Sequence, residues 1–220
     1  QNTAEWKGSP AESTTTVERN VPKVGKAGEQ VPELDENGNV KYTTDPVSGK
    51  QVIKYTNRVQ YSVVINPAGD VLNPDSDRLI LKDTMKLPTG VKAGLDVANV
   101  ILYKYEVDEN GKQLLNHPID PNRYSVKFDV DSHVLTVDVP DELACVLVYT
   151  YEIDWGNINE PQLSNAVNLA GQWDSSVDTK LSTVGSSATV KKGRMIIYKV
   201  DSGNNKKTLP GAEFTIHYYD

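Results

Sequence analysis

Residues 58–84 read RVQYSVVINPAGDVLNPDSDRLILKDT, two strand-like runs joined by a loop rich in Pro, Gly, Asn and Asp. Side chains alternate across a strand, so Val59, Tyr61, Val63 and Ile65 share one face of the first run, and Leu79, Leu81 and Asp83 share one face of the second. The apolar face of each run is the one to bury. Asp83 is therefore predicted to point into the core, where an unpaired carboxylate is costly or gives up its charge. The rest of the chain has to supply a reason for it.

Runs of the same kind recur at short intervals: VANVILYKYEV (97–107), RYSVKFDV (123–130), HVLTVDV (133–139), CVLVYTYEIDW (145–155) and LSNAVNLAGQW (163–173). Val, Ile, Tyr and Thr dominate them, and no long segment carries a helical apolar stripe. The fold expected is all-β, an immunoglobulin-like sandwich with Greek-key wiring. Between the first strand candidate, VPKVGKAG (21–28), and Val59 the turn signals predict a protruding hairpin over about Val40 to Tyr55. The two DENG stretches, 35–38 and 108–111, read as hairpin turns, because neither has the ligand spacing of a calcium loop.

Residues 1–20 read as a linker or disordered lead-in, 21–190 as the sandwich, and 191–220 as the start of a smaller β-domain cut short at Asp220. Residues 174–192 lose large apolar side chains and read as an edge strand passing into the link between the two.

The chain has 220 residues, 38% hydrophobic and 24% charged, with a net charge of -7. That balance argues against nucleic acid, whose phosphates require clustered Lys and Arg. No run approaches the ~18 apolar residues of a spanning helix, so no membrane insertion is expected of this segment. Cys145 stands alone, which excludes an intrachain disulfide, and its position in an apolar face marks it as a buried thiol. His117, His133 and His217 are scattered without metal-ligand spacing, so neither a metal nor any cofactor is expected.

Two stretches resemble known families. VQYSVVIN, LILKDT and LSNAVNLAG, in that order and at suitable spacing, resemble the collagen-adhesin A-type or fimbrial D2-type isopeptide-forming domains of Gram-positive pilins and adhesins. IIYKVDSGNNKKTLPGAEFTIHYYD, at the end of the chain, is similar to the opening of the collagen-adhesin B-type (SpaA-like) domains.

The first resemblance implies an amide bond between a core lysine and a core asparagine, with a buried Asp or Glu assisting and ammonia leaving. Burial suits that chemistry, because low polarity favours a neutral, nucleophilic amine and a protonated, proton-donating carboxyl. Asp83 is the implied proton shuttle. Asn165 fits the acceptor by parity as well as by family position, since Leu163, Asn165, Val167 and Leu169 share a face while Asn168 lies opposite. A hydrogen-bonded Asp–Asn pair without covalent chemistry is the plainer alternative.

For the lysine, the family places it on the first strand, which favours Lys26, on the face of Val24; the inserted hairpin leaves Lys54, on the face of Val52, as the second candidate, with Lys23, Lys41 and Lys50 behind them. In the second resemblance Lys199 matches the bond-forming lysine of the B-type domain and is expected to stay unreacted here. Glu213 belongs to that family's strand pattern and is not its acid.

What these resemblances imply is a stalk or shaft module of a Gram-positive cell-wall-anchored adhesin or pilin, extracellular and on the bacterial surface. Its partners would be neighbouring domains of the same protein, sortase and other pilus subunits. A host-ligand-binding module on the same scaffold is the alternative, and a turnover enzyme is not expected. Tyr42, Tyr55 and the loop at 108–122 are where a ligand would be sought.

Overall fold

The computed structural model describes residues 2–6, 9–13, 21–45, 49–182, 200–201 and 204–208. The body of the protein is a sandwich of two five-stranded antiparallel sheets. Among the described residues of 24–180 there are fourteen strands: β1 (Val24–Pro32), β2 (Tyr42–Thr44), β3 (Gln51–Ile53), β4 (Tyr55–Ile65), β5 (Arg78–Lys86), β6 (Lys92–Leu95), β7 (Ile101–Lys104), β8 (Glu106–Val107), β9 (Gln113–Leu114), β10 (Ser125–Asp129), β11 (Val134–Pro140), β12 (Cys145–Asp154), β13 (Gln162–Leu169) and β14 (Trp173–Lys180).

One sheet has the order β10-β11-β5-β13-β14; the other has the order β1-β4-β12-β6, with β7 also pairing with β12. Strands far apart in sequence thus lie side by side, as Greek-key wiring requires: β5 sits between β11 and β13, and β12 joins β4 to β6 and β7.

Burial follows the alternation read from the sequence. Leu79, Leu81, Asp83 and Met85 of β5 are buried while Ile80, Lys82 and Lys86 are exposed, and Leu163, Asn165, Val167 and Leu169 of β13 are buried. In β12 the face of Cys145, Leu147, Tyr149, Tyr151 and Ile153 is buried, and burial pushes the Cys145 thiol up to about 12. The two inner faces meet directly, with the Tyr61 hydroxyl of β4 4.0 Å from the Met85 sulfur of β5 and the rings of Phe128 and Tyr151 5.7 Å apart, edge to face.

At one side of the sandwich, edge strand β1 meets edge strand β14. The Lys26 backbone N–H donates to Ser175 Oγ at 3.1 Å, and the Gln30 side chain exchanges hydrogen bonds with the Ser182 backbone, at 2.9 Å each way.

The structure corrects several element boundaries. The single strand expected over 97–107 is broken: Asp96 caps a short 3-10 turn at Val97–Asn99, and β7 and β8 follow as separate pieces. The run 163–173 ends at Leu169, because Ala170 (φ 52°) and Gly171 (φ 73°) reverse the chain and Trp173 opens β14. Strand β6 carries no sequence signal, since its Lys-Ala-Gly-Leu has too little apolar alternation to announce a strand.

The hairpin expected over Val40 to Tyr55 is present as β2 against β3. Both DENG stretches are hairpin turns: Asp35 Oδ1 accepts from the backbone N–H groups of Asn37 and Asn39, and Asp108 Oδ1 accepts from those of Asn110 and Lys112. Within the lead-in expected over 1–20, Asn2–Trp6 pairs with Ser9–Ser13, and near the end Val200–Asp201 pairs with Asn204–Thr208. Lys199, Glu213 and His217 lie outside the described residues.

Candidate functional site

The site is built where the two sheets face each other beneath β1. Asp83 projects from β5, where it lies opposite Leu135 on one side and Val167 on the other. Asn165 projects from β13, opposite Met85 of β5 and Val177 of β14. Lys26 comes from the other sheet, on β1 opposite Val63 of β4. Its backbone is partly exposed at the sheet edge, yet its side chain is 0% exposed.

The Lys26 ammonium is hydrogen-bonded to Asp83 Oδ2 in a fully enclosed ion pair, and it donates to the Tyr149 hydroxyl at 2.5 Å. Asn165 Nδ2 also donates to the Tyr149 hydroxyl, at 3.5 Å. The lysine nitrogen lies over two aromatic faces, 4.8 Å from the centre of the Tyr61 ring and 5.2 Å from that of Tyr149. Those rings stack 5.7 Å apart, and Tyr151 packs edge-on against both. Aromatic faces accept a cation without hydrating it, so the cage tolerates the charge while keeping water out.

Burial dominates the electrostatics. It lowers the Lys26 pKa from its ordinary value of 10.5, against the opposing attraction of Asp83. It holds the Tyr149 phenol well above its ordinary range, with the Asp83 charge adding to the effect, and raises Tyr61 to about 12. Asp83 Oδ1 and Asn165 Oδ1 are both buried without a hydrogen-bond partner among the described residues. Two enclosed acceptors of this kind are expensive to leave unsatisfied.

The other lysines sit elsewhere. Lys54 and Lys41 both pair with Glu33 in the hairpin region, at 2.7 and 2.8 Å, with about half of each side chain in solvent (49% and 43%). Lys23 pairs with Asp70 at the surface. The structure thus brings Lys26, Asp83 and Asn165 together and leaves Lys54 outside the core. His117 is exposed and pairs with Glu106 at 2.7 Å, and His133 occupies a turn with φ 53°. Among the described residues no cluster of His, Cys, Asp and Glu could hold a metal. No described helix is long and apolar enough to cross a membrane.

Sequence reasoning missed Tyr149, whose hydroxyl touches both nitrogens. A signal existed: parity places Tyr61, Tyr149 and Tyr151 on core faces, and a buried phenol usually finds a hydrogen-bond partner.

No protein-family profile matches the sequence, and no curated protein sequence matches it. Similar solved structures include the collagen-binding domain from a Staphylococcus aureus adhesin, at 11% identity over 76% of this chain and 98% of that one (TM-score 0.37). They also include ACE19, the collagen binding subdomain of Enterococcus faecalis surface protein ACE, at 13% identity over 74% and 96% (TM-score 0.38). A third is the N-terminal domain of the Streptococcus gordonii adhesin Sgo0707, at 10% identity over 73% of this chain and 33% of that one (TM-score 0.39).

Proposed function

We propose that this chain is a stalk or shaft module of a Gram-positive surface adhesin or pilin, stabilised by an amide bond that it forms itself between Lys26 and Asn165. The observation that carries the reading is the enclosure of Lys26 and Asp83 with Asn165 around one phenol oxygen. An ion pair buried this completely is a poor stabiliser of a fold, since its desolvation offsets most of its attraction. Chemistry accounts for it better.

In that chemistry Asp83 takes the proton of the ammonium and leaves a neutral amine. The amine attacks Asn165 Cγ while the protonated carboxyl, hydrogen-bonded to Oδ1, withdraws charge from the carbonyl. The Nζ–Cγ bond forms as Nζ gives up a second proton, Nδ2 takes up one proton, the Cγ–Nδ2 bond breaks, and ammonia leaves, with the first proton kept on Asp83. Confinement in a packed core supplies the effective molarity that a sluggish amide exchange needs. The protein reacts once, on itself, and is no turnover enzyme.

The bond would tie β1 to β13 across nearly the whole sandwich. By the loop-entropy argument used for disulfides, a closure this long restricts the unfolded chain by about 5 kcal/mol. Pulling force would then pass through a covalent tie and leave the sheets intact, which suits a module on the cell surface in series with neighbouring domains.

Intact mass tests the reading. The wild-type chain is expected to be lighter than its sequence by one ammonia and the Asp83→Ala variant to have full mass; full mass in both would refute self-linking.

A second reading, host-ligand binding on the same scaffold, draws on the exposed apolar side chains Tyr42 in the hairpin, Leu34 just before it and Leu115 in the 108–122 loop.

A further inference from the structure

Asp83 reaches the lysine nitrogen, but the only hydrogen-bond partner of Asn165 Nδ2 among the described residues is the Tyr149 hydroxyl. That hydroxyl is also bonded to Lys26 Nζ. The exchange requires one nitrogen to lose a proton and the other to gain one, and Tyr149 is the group in contact with both. We infer that the Tyr149 hydroxyl relays the proton from Lys26 Nζ to Asn165 Nδ2 and so makes the leaving group ammonia. The inference rests on the self-linking reading and adds a reacting residue to it.

The balance is closed. As the Nζ–Cγ bond forms, Nζ gives one proton to the phenol oxygen. The phenol, which accepts from Nδ2 before attack, gives its own proton to Nδ2 once attack at Cγ has turned that amide nitrogen into an amine; the Cγ–Nδ2 bond then breaks, and Tyr149 ends as it began. No free phenolate has to form, which agrees with a phenol that burial and the Asp83 charge hold firmly protonated. Asp83 contacts Nζ and so prepares the amine, while Tyr149 contacts and serves the two nitrogens. The ring has a second task, because it is one face of the cage that fixes the amine.

Tyr151 provides an internal control. Its side chain is also fully buried, but its hydroxyl has no hydrogen-bond partner among the described residues. Both tyrosines lie on the core face of β12, so a Phe at either position removes one oxygen and keeps the ring.

The test follows linking by intact mass during timed cell-free synthesis of the full chain, comparing wild type, Tyr149→Phe and Tyr151→Phe. The relay predicts loss of ammonia slowed by about two orders of magnitude in Tyr149→Phe and unchanged in Tyr151→Phe. Melting of each variant in an Asn165→Ala background, where no bond can form, shows whether the fold itself has changed. Linking of Tyr149→Phe at the wild-type rate overturns the relay while leaving self-linking intact, and full mass in the wild type overturns both. A second measurement needs no variant: wild-type linking should be slower in heavy water, and equal rates in the two solvents would also overturn the relay.

Discussion

Asp83 and Asn165 are diagonal neighbours on one face of adjacent strands, with Asp83 opposite Val167 and Met85 opposite Asn165. Each carries a buried oxygen without a partner among the described residues. The register of β5 against β13 puts carboxyl and carboxamide on one face of adjacent strands, where the Lys26 ammonium meets the carboxyl and the Tyr149 hydroxyl meets both the ammonium and the carboxamide. Lys26 is then delivered from the opposite sheet.

The energetic standing of the buried pair can be read in the Asn165→Ala chain, where no bond forms. There Asp83→Ala should cost about 3–5 kcal/mol, because it strands the Lys26 charge in a dry core. Replacing both partners, Lys26→Met with Asp83→Leu, should restore stability to that of the unlinked parent or above it. Urea unfolding of the three chains gives the comparison, and a loss below about 1 kcal/mol for Asp83→Ala would place the pair among weak surface-type contacts.

A pH dependence follows from Lys26, again in the unlinked Asn165→Ala background. Burial lowers its folded-state pKa below the ordinary 10.5. Between the two values the unfolded chain binds more protons than the folded one, so stability should rise as pH approaches 10.5. The groups around the amine are Asp83, Tyr61, Tyr149 and Tyr151; burial raises all three phenols, and they act in the opposite sense above their ordinary value of 10.0. The rise should therefore be clearest below that point and absent when Lys26→Met is added. Chemical unfolding across the alkaline range measures it, and a flat profile would contradict a depressed lysine.

Gly28 is a packing requirement of the cage. A Cβ there would lie 2.4 Å from Tyr61 Cε1 and 2.6 Å from Cδ1. The ring cannot yield as the tip of a flexible side chain can, so Gly28→Ala should cost about 1–3 kcal/mol by overpacking. It should also slow linking, since Tyr61 is one of the two faces over Lys26. Melting temperature and the time course of mass loss report the two effects separately.

The hairpin distinguishes stalk from ligand-binding module. Val52 is buried but stands outside the central core cluster, so the hairpin contributes little to the sandwich. Replacing residues 34–53 by a tight Asn-Gly turn should leave the melting temperature and the mass loss close to those of the parent. A ligand-binding module would lose its ligand on this change; a stalk has none to lose.

The period of two is a local property of the chain, and it was enough to place Asp83, Asn165 and Cys145 on buried faces and to show an all-β sandwich. The break in the 97–107 run was less legible, because a cap made by the Asp96 side chain outweighed a pattern of strand-forming residues. The lysine could not be chosen by parity at all: Lys26 shares a face with Val24, and Lys54 shares one with Val52. Their environments differ only because β1 pairs with β4 at the edge of the sandwich and turns Lys26 inward over Tyr61, while the hairpin carries Lys54 out to Glu33. Alternation fixes which way a side chain points from its own strand; what it meets there depends on strands more than a hundred residues away, and only the packing of one sheet on the other decided that.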